Sequence, residues 1–225
     1  MADTEKRSDL RTRLIDAAEA EIAEKGLLGL KARDVTARAG CALGAIYNAV
    51  SDLDELVMRV NSRTLERLGA ALAPSSGAGG PEAVTLALAD AYAVFALQNR
   101  RLWSALFEHR LPEGVEMPDW HRAEHEVLIA RIGAPLSRLR PDLPVEAVRL
   151  RVRTLFGAVH GVVHLALQGR LVGVPEALLR QEVAALVGAL VVGARSAGAQ
   201  SAGAAVRTAG GLVGGEGLEP PTFSV

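Results

Sequence analysis

Apolar residues recur at helical spacing along almost the whole chain, and this periodicity restricts the fold to an all-α one. Leu10, Leu14, Ala18 and Ile22 line one stripe, with Ile15 beside it, and Gly26 follows as a C-cap. Two short helical segments come next, Ala32–Ala39 and Leu43–Ala49, separated by Gly40. A longer helix starts at Ser51, where Ser51 and Asp54 fit a capping box ahead of Leu56, Val57, Val60, Leu65 and Leu68. Further helices are expected over 81–98, 101–109, 119–138, 144–171 and 175–195, with Pro135 kinking or shortening the one over 119–138. The total is nine helices and no strand. Composition agrees: aromatic residues are only 4% of the chain, too few for a sandwich or barrel, while Ala, Leu, Arg and Glu favour helix.

The breaks in this pattern set off a tail over 196–225. The Pro/Ser/Gly-rich stretch 74–80 is the clearest internal loop. The Gly/Ala/Ser-rich tail offers little apolar area to offset ordering entropy and is expected to be disordered. The start of the chain is charged and has no apolar signal core. The longest apolar stretch, Val183 to Ala194, is shorter than the roughly 20 residues that a spanning helix needs. A cytoplasmic protein with no membrane partner is therefore expected. With 25 Lys+Arg against 26 Asp+Glu the chain is not a polycation, so global charge names no partner. One cysteine, Cys41, excludes an internal disulfide framework.

The main functional clue is the pair of short helices joined across Ala39-Gly40-Cys41-Ala42. A helix-turn-helix needs a small residue and a glycine there, so that the second helix can cross the first steeply and lie in a DNA major groove. Val35, Ala39 and Ile46 would face the first helix. The run Leu14-Ile15-Asp16-Ala17-Ala18, then Gly26, Arg33-Asp34-Val35, Ala39-Gly40, Gly44-Ala45-Ile46-Tyr47 and Leu56 resembles the DNA-binding domain of the tetracycline-repressor-like (TetR) transcription regulators. That resemblance divides the chain into a DNA-binding domain over 1–56 and a ligand-binding and dimerisation domain over 57–195, and implies a homodimer that binds a double-stranded, palindromic operator through the first. It also implies a divergent C-terminal half that binds a small effector, and release from DNA, usually as a repressor.

Carried over by position, the resemblance puts Ala42, Leu43, Gly44 and Ala45 at the start of the reading helix. Leu43 and Ala45 suit thymine methyl groups, and Gly44 permits close approach. Tyr47 and Asn48 would bond phosphates, with Arg33 reaching a base or phosphate and Lys31 and Arg38 adding charge. Tyr47 could equally be a half-buried ring that locks the three-helix core. Four positions depart from the family's habit: Lys31 and Ala42 replace the usual capping Thr and Ser, Val50 the frequent Phe, and Leu53 a phosphate-binding Lys. Each lost cap removes about 1 kcal/mol, and residues 1–56 hold more acidic than basic side chains. Weak or salt-sensitive DNA binding is expected from this.

In the C-terminal half, Val183, Leu186, Val187, Leu190 and Val191 form an amphipathic stripe, and Gly157 and Gly161 lie one turn apart on an apolar helix. Together with His164 these residues suit either close packing within the chain or a four-helix dimer interface like the family's. The run Leu155 to Gly161 resembles a subgroup with a Trp/His-Gly signature, with Phe156 at the Trp position. Tyr92, Phe95, Trp103, Phe107, Trp120 and Phe156 are six of the eight aromatic residues, and with His160 they suit an effector pocket or simply a core. His121/His125 and His160/His164 are two i, i+4 pairs. They raise the alternative of a metal sensor, although His121 and His125 sit among charged neighbours and read as a solvated face. Neither a metal nor any other cofactor is required by the pattern. No nucleophile-and-base set, phosphate loop or Glu-x-x-His pair is present, so an enzyme is not expected.

Overall fold

The computed structural model describes residues 2–76, 79–169 and 173–210. Among these, nine α-helices run in the order α1 (Ala2–Lys25), α2 (Ala32–Ala39), α3 (Ile46–Ala49), α4 (Leu53–Leu72), α5 (Pro81–Gln98), α6 (Arg100–Glu108), α7 (Asp119–Leu139), α8 (Val145–Leu167) and α9 (Leu179–Gly210). Short 3-10 turns precede α2, α3, α5 and α9, and no strand occurs among the described residues.

Two apolar cores result. The N-terminal core gathers Leu14, Ala18 and Ile22 of α1, Val35 and Ala39 of α2, Ile46 and Ala49 of α3, and Leu56 and Val60 of α4. The larger core joins the second half of α4 to α5, α7, α8 and α9 through Leu68, Leu88, Phe95, Val152, Val163 and Val187. α4 crosses from one core to the other, so the expected boundary at residue 56 falls inside a continuous helix. The short α6 crosses as well. Its Leu102 and Ala105 belong to the N-terminal core, and its Trp103 and Leu106 belong to the larger one.

Local chemistry explains most of the ends. Gly40 closes α2 at φ 67°, and the bonds Gly40 N–H to Ala37 O and Cys41 N–H to Thr36 O form a Schellman pattern. The cap of α4 is shifted by one residue from the expected Ser51/Asp54 pair. Asp52 accepts from Glu55 N–H at 2.7 Å, while the Glu55 carboxylate accepts from Ser51 N–H at 2.8 Å. Pro135 does not end α7; the helix continues to Leu139, with Pro135 buried. Gly133 is where α7 meets α8: a Cβ there would lie 3.3 Å from a Val152 methyl.

α9 departs from expectation at its far end. It continues to Gly210 rather than stopping near Arg195, so the tail expected to be disordered from residue 196 is helical to that point. Its alanine content favours helix, and the Ser196 hydroxyl bonds back to Val192 O without breaking it. The rest of that tail lies outside the described residues. The segment Glu176–Ser196 is long and apolar enough to cross a membrane by length and composition, which the count over Val183 to Ala194 missed. Leu179, Val183, Val187 and Val191 are buried in the larger core, which places the helix in the bundle.

Glu55 is the electrostatic knot between α1 and α4. Burial opposes its ionisation, but Ser51 N–H, Arg59 and Arg11 outweigh burial and hold the carboxyl down to about 2. Its stabilising contribution is complete above the unfolded carboxyl value of about 4.3 and is lost as pH falls through about 2. Glu55→Gln should therefore lower stability by about 1 kcal/mol in urea denaturation at pH 7, and the gap to the parent should close as pH falls from 4.5 towards 2. A gap independent of pH would contradict the assignment.

Candidate nucleic-acid interface and effector site

The turn after Gly40 leads through a 3-10 segment, Leu43–Ala45, into α3. Ile46, Ala49 and Val50 point into the N-terminal core, which turns Ala42, Leu43, Gly44, Tyr47 and Asn48 outward, with Ala45 half-buried. Tyr47 is 71% exposed, so it does not lock the core. Lys31 and Arg33 are exposed on the adjoining α2 end and form no ion pair among the described residues. Seven of the eight residues expected to contact DNA thus face solvent together, and Ala45 lies at their inner edge. Neither Lys31 nor Ala42 supplies a side-chain cap to the helix that follows it. Leu53 packs on the core where a cation was expected.

Arg38 does not join that surface. It pairs with Glu21 at 2.8 Å and Glu24 at 2.6 Å on α1. The hydrogen bond from Lys25, against burial and with help from Arg38, keeps the Glu21 carboxyl below its ordinary range. Arg63 and Arg67 of α4 engage Asp16 and Glu19 in the same way. The acidic excess of the first 56 residues is therefore consumed by arginines on the body of the domain.

In the C-terminal half the structure brings five of the seven expected pocket residues into one ring cluster. Trp103 is fully buried and stacks on His160 at 5.1 Å between centroids. Tyr92 meets Trp103 and Phe156 edge-on at 6.0 and 5.6 Å. Phe107 lies 4.1 Å from His160 and is 36% exposed. His164, expected at the dimer interface, instead stacks on His160 at 5.6 Å. The Tyr92 hydroxyl and His160 Nδ1 share a hydrogen bond of 2.9 Å. Burial, reinforced by His164, pushes His160 down to about 4, and burial pushes the Tyr92 phenol up. Both groups are therefore neutral at physiological pH. Next to the cluster, Tyr92, Phe156, Leu88 and Ile132 line a cavity of about 30 Å³.

Phe95 and Trp120 do not join the rings. Phe95 is buried in the larger core. Trp120 lies at the start of α7 under the Arg59 guanidinium, 3.9 Å from it. His121 is buried rather than solvated, because α7 packs it against Ser62 of α4. Burial lowers its pKa. Ser62 and Glu124 both engage the same nitrogen, Nδ1, at 3.2 and 3.1 Å. A serine hydrolase relay needs one ring nitrogen for serine and the other for the acid, so this trio lacks that geometry. The two histidine pairs stay on separate helices, and among the described residues no group of three His, Cys, Asp or Glu side chains is placed to hold a metal ion.

The expected dimer stripe splits in two. Val183, Val187 and Val191 turn into their own core, which corrects their assignment to the interface. Leu186 is half-buried, and Leu190 is 41% exposed. Gly157 and Gly161 have open space where a side chain would be, so neither is there for packing within the chain. The stripe carried two apolar faces, and helical spacing does not say which one turns inward.

Residues 85–192 match the family described as tetracyclin repressor-like, C-terminal domain. That match covers just under half of the chain, from within α5 to within α9. Solved structures share the fold. RolR in complex with resorcinol is 22% identical, with a TM-score of 0.62 over 86% of this chain and 94% of that one. A TetR-family member from Streptomyces coelicolor is 22% identical, with a TM-score of 0.51 over 77% and 88% of the two chains. The regulator PfmR from Thermus thermophilus is 18% identical, with a TM-score of 0.53 over 78% and 93%. No curated relative matches the sequence. The exposed residues and the paired ones should separate by melting temperature. Tyr47→Ala should leave stability within about 0.5 kcal/mol, whereas Arg38→Ala should lower the melting temperature because it removes one of the two cations, Arg38 and Lys25, that pair the nearly buried Glu21. Equal shifts would contradict the two placements.

Proposed function

We propose that this protein is a cytoplasmic, ligand-responsive transcription regulator that binds a palindromic operator as a homodimer and acts as a repressor released by a small apolar effector. The observation that carries the DNA reading is the shared outward face of Leu43, Gly44, Tyr47 and Asn48 beside the unpaired Lys31 and Arg33. Apolar atoms on that face can meet thymine methyl groups, while Tyr47, Asn48 and the two cations hold phosphates. With so few cations binding should be weak, but its fall with salt should be shallow rather than steep as first expected, because the slope counts phosphate contacts.

The dimer reading rests on α8 and α9. Within the apolar segment Glu176–Ser196 only Leu179, Val183, Val187 and Val191 are buried in their own chain. Gly157, Gly161, Leu186 and Leu190 remain available beside it. A partner covering that face would hold two reading helices about 34–36 Å apart, one turn of DNA.

Effector control requires a path between the two cores, and α6 supplies it. Trp103 and Phe107 belong to the ring cluster, while Leu102 and Ala105 belong to the N-terminal core. At the start of α6, Arg101 donates to the Glu24 and Ala23 carbonyls at the end of α1. At its end, His109 meets Asp54 of α4 at 2.9 Å. A ligand that shifts α6 therefore moves both helices that carry the reading head, provided it binds the two states unequally. The resorcinol bound by RolR is a small ring compound, which fits an effector of this kind.

Titration against the DNA upstream of the protein's own gene, at several salt concentrations, tests the operator reading. Saturable binding that prefers this DNA over random duplex supports it, and Arg33→Ala or Tyr47→Phe should each weaken it about tenfold. Binding of equal strength to any duplex would overturn it. Light scattering should give twice the chain mass, with Gly157→Arg giving the single mass; a monomeric parent would overturn the dimer.

A further inference from the structure

The ring cluster contains a polar group with nothing to bond. Trp103 is fully buried, and its Nε1 has no hydrogen-bond partner among the described residues. The nitrogen approaches the Tyr92 hydroxyl, but in a geometry that makes no hydrogen bond. His164 Nδ1 is buried without a partner as well, while its other nitrogen meets Gln168 at 2.8 Å. Buried polar groups are paired in the great majority of cases, and an unpaired one costs the full desolvation of that group. Two of them in one aromatic cluster indicate a site completed by something outside the chain.

The occupant of the slot is visible in part. Phe107 lies against His160 at 4.1 Å and Trp103 at 5.2 Å, yet its ring is the most exposed of the cluster. It is held on one side by other rings and open on the other. The adjoining cavity, at about 30 Å³, is too small for any ring compound. A ligand must therefore displace a side chain, and Phe107 is the one free to move outward.

Charge sets the remaining requirement. The cluster consists of Tyr92, Trp103, Phe107, Phe156, His160 and His164, and none of these is an acid or a Lys/Arg cation. Charged side chains on the same helices are exposed or paired elsewhere: Arg100 pairs with Glu176, Arg101 with the end of α1, and Asp90 with Arg180, while Glu108, Arg151 and Arg153 are exposed. An ionised ligand would be buried without a counter-charge, which is strongly unfavourable.

We infer that the effector is an uncharged, single-ring aromatic compound bearing a hydrogen-bond acceptor, which takes the place of Phe107 against His160 and accepts from Trp103 Nε1–H. This rests on the effector reading above and adds the ligand's chemical class. Phe107 is the internal stand-in for the ligand ring, and Trp103 reads its acceptor.

Acetophenone is the test probe, with ethylbenzene as the analogue lacking an acceptor and benzoate and benzylammonium as charged counterparts. Calorimetric titration of the full chain should show acetophenone binding about tenfold tighter than ethylbenzene, the value of one buried hydrogen bond, with both ions weaker still. In a Trp120→Phe background, acetophenone should change the fluorescence of Trp103, the sole remaining indole. Trp103→Phe should remove the preference for acetophenone over ethylbenzene. Phe107→Ala should bind acetophenone more tightly, and because that ring lies at the open edge this variant keeps the test alive if Trp103→Phe does not fold. Tighter binding of either ion, no binding of acetophenone, or unchanged affinity in Phe107→Ala would overturn the inference. DNA affinity is measured separately: acetophenone binding with these preferences but no effect on DNA would leave the ligand class standing and remove the regulator reading.

Discussion

Nine residues of α6 hold the two halves of this protein in one arrangement. Their side chains alternate between cores. Leu102 and Ala105 are covered by α1 and α4, while Trp103 and Leu106 are covered by the C-terminal bundle. A helix buried on both faces cannot rotate or slide without opening one core or the other, because packed interiors shift between discrete arrangements rather than deforming smoothly. Polar contacts at both ends add direction: Arg101 reaches the last turn of α1, and His109 reaches the first turn of α4. The position of α1 and α4 against the C-terminal bundle is in this sense a property of α6.

The electrostatics of the N-terminal domain divide along the same line. Glu19, Glu21, Glu24 and Glu55 are matched by Arg67, Arg38, Lys25, Arg11 and Arg59 on the flanks of the domain. The outward face of α3 takes no part in this network. Neutrality of the whole chain therefore conceals a separation between cations that hold the scaffold and others, Lys31 and Arg33 among them, that form no ion pair among the described residues.

Much of the architecture was legible in the sequence because helical spacing, Gly40 and the proline positions act locally. The nine helices follow from such signals, whereas the outward placing of Ala42, Leu43, Gly44, Tyr47 and Asn48 was implied by the family resemblance. The misreadings share one cause: a single helix pattern does not say what packs against it. His121 has charged neighbours along the chain, yet α4 covers it. Val183, Val187 and Val191 looked like an interface but face α5 and the core. Trp120 and Phe95 share composition with the ring cluster and lie outside it. The unpaired Trp103 nitrogen had no sequence signal, since satisfaction of a buried donor is decided by neighbours from other helices.

The uncovered side of α9 has a consequence for how such a chain persists in solution. In the dimer proposed above, a helix with Leu190 and Val192 exposed beside its buried stripe leaves part of its folding free energy to be supplied by association. Stability is then a function of abundance. A dilute chain is a poorly protected chain, open at the α8–α9 face to unfolding and cleavage, and a concentrated one is shielded. The amount of protein and its lifetime become coupled through the geometry of one helix, before any ligand or DNA is involved.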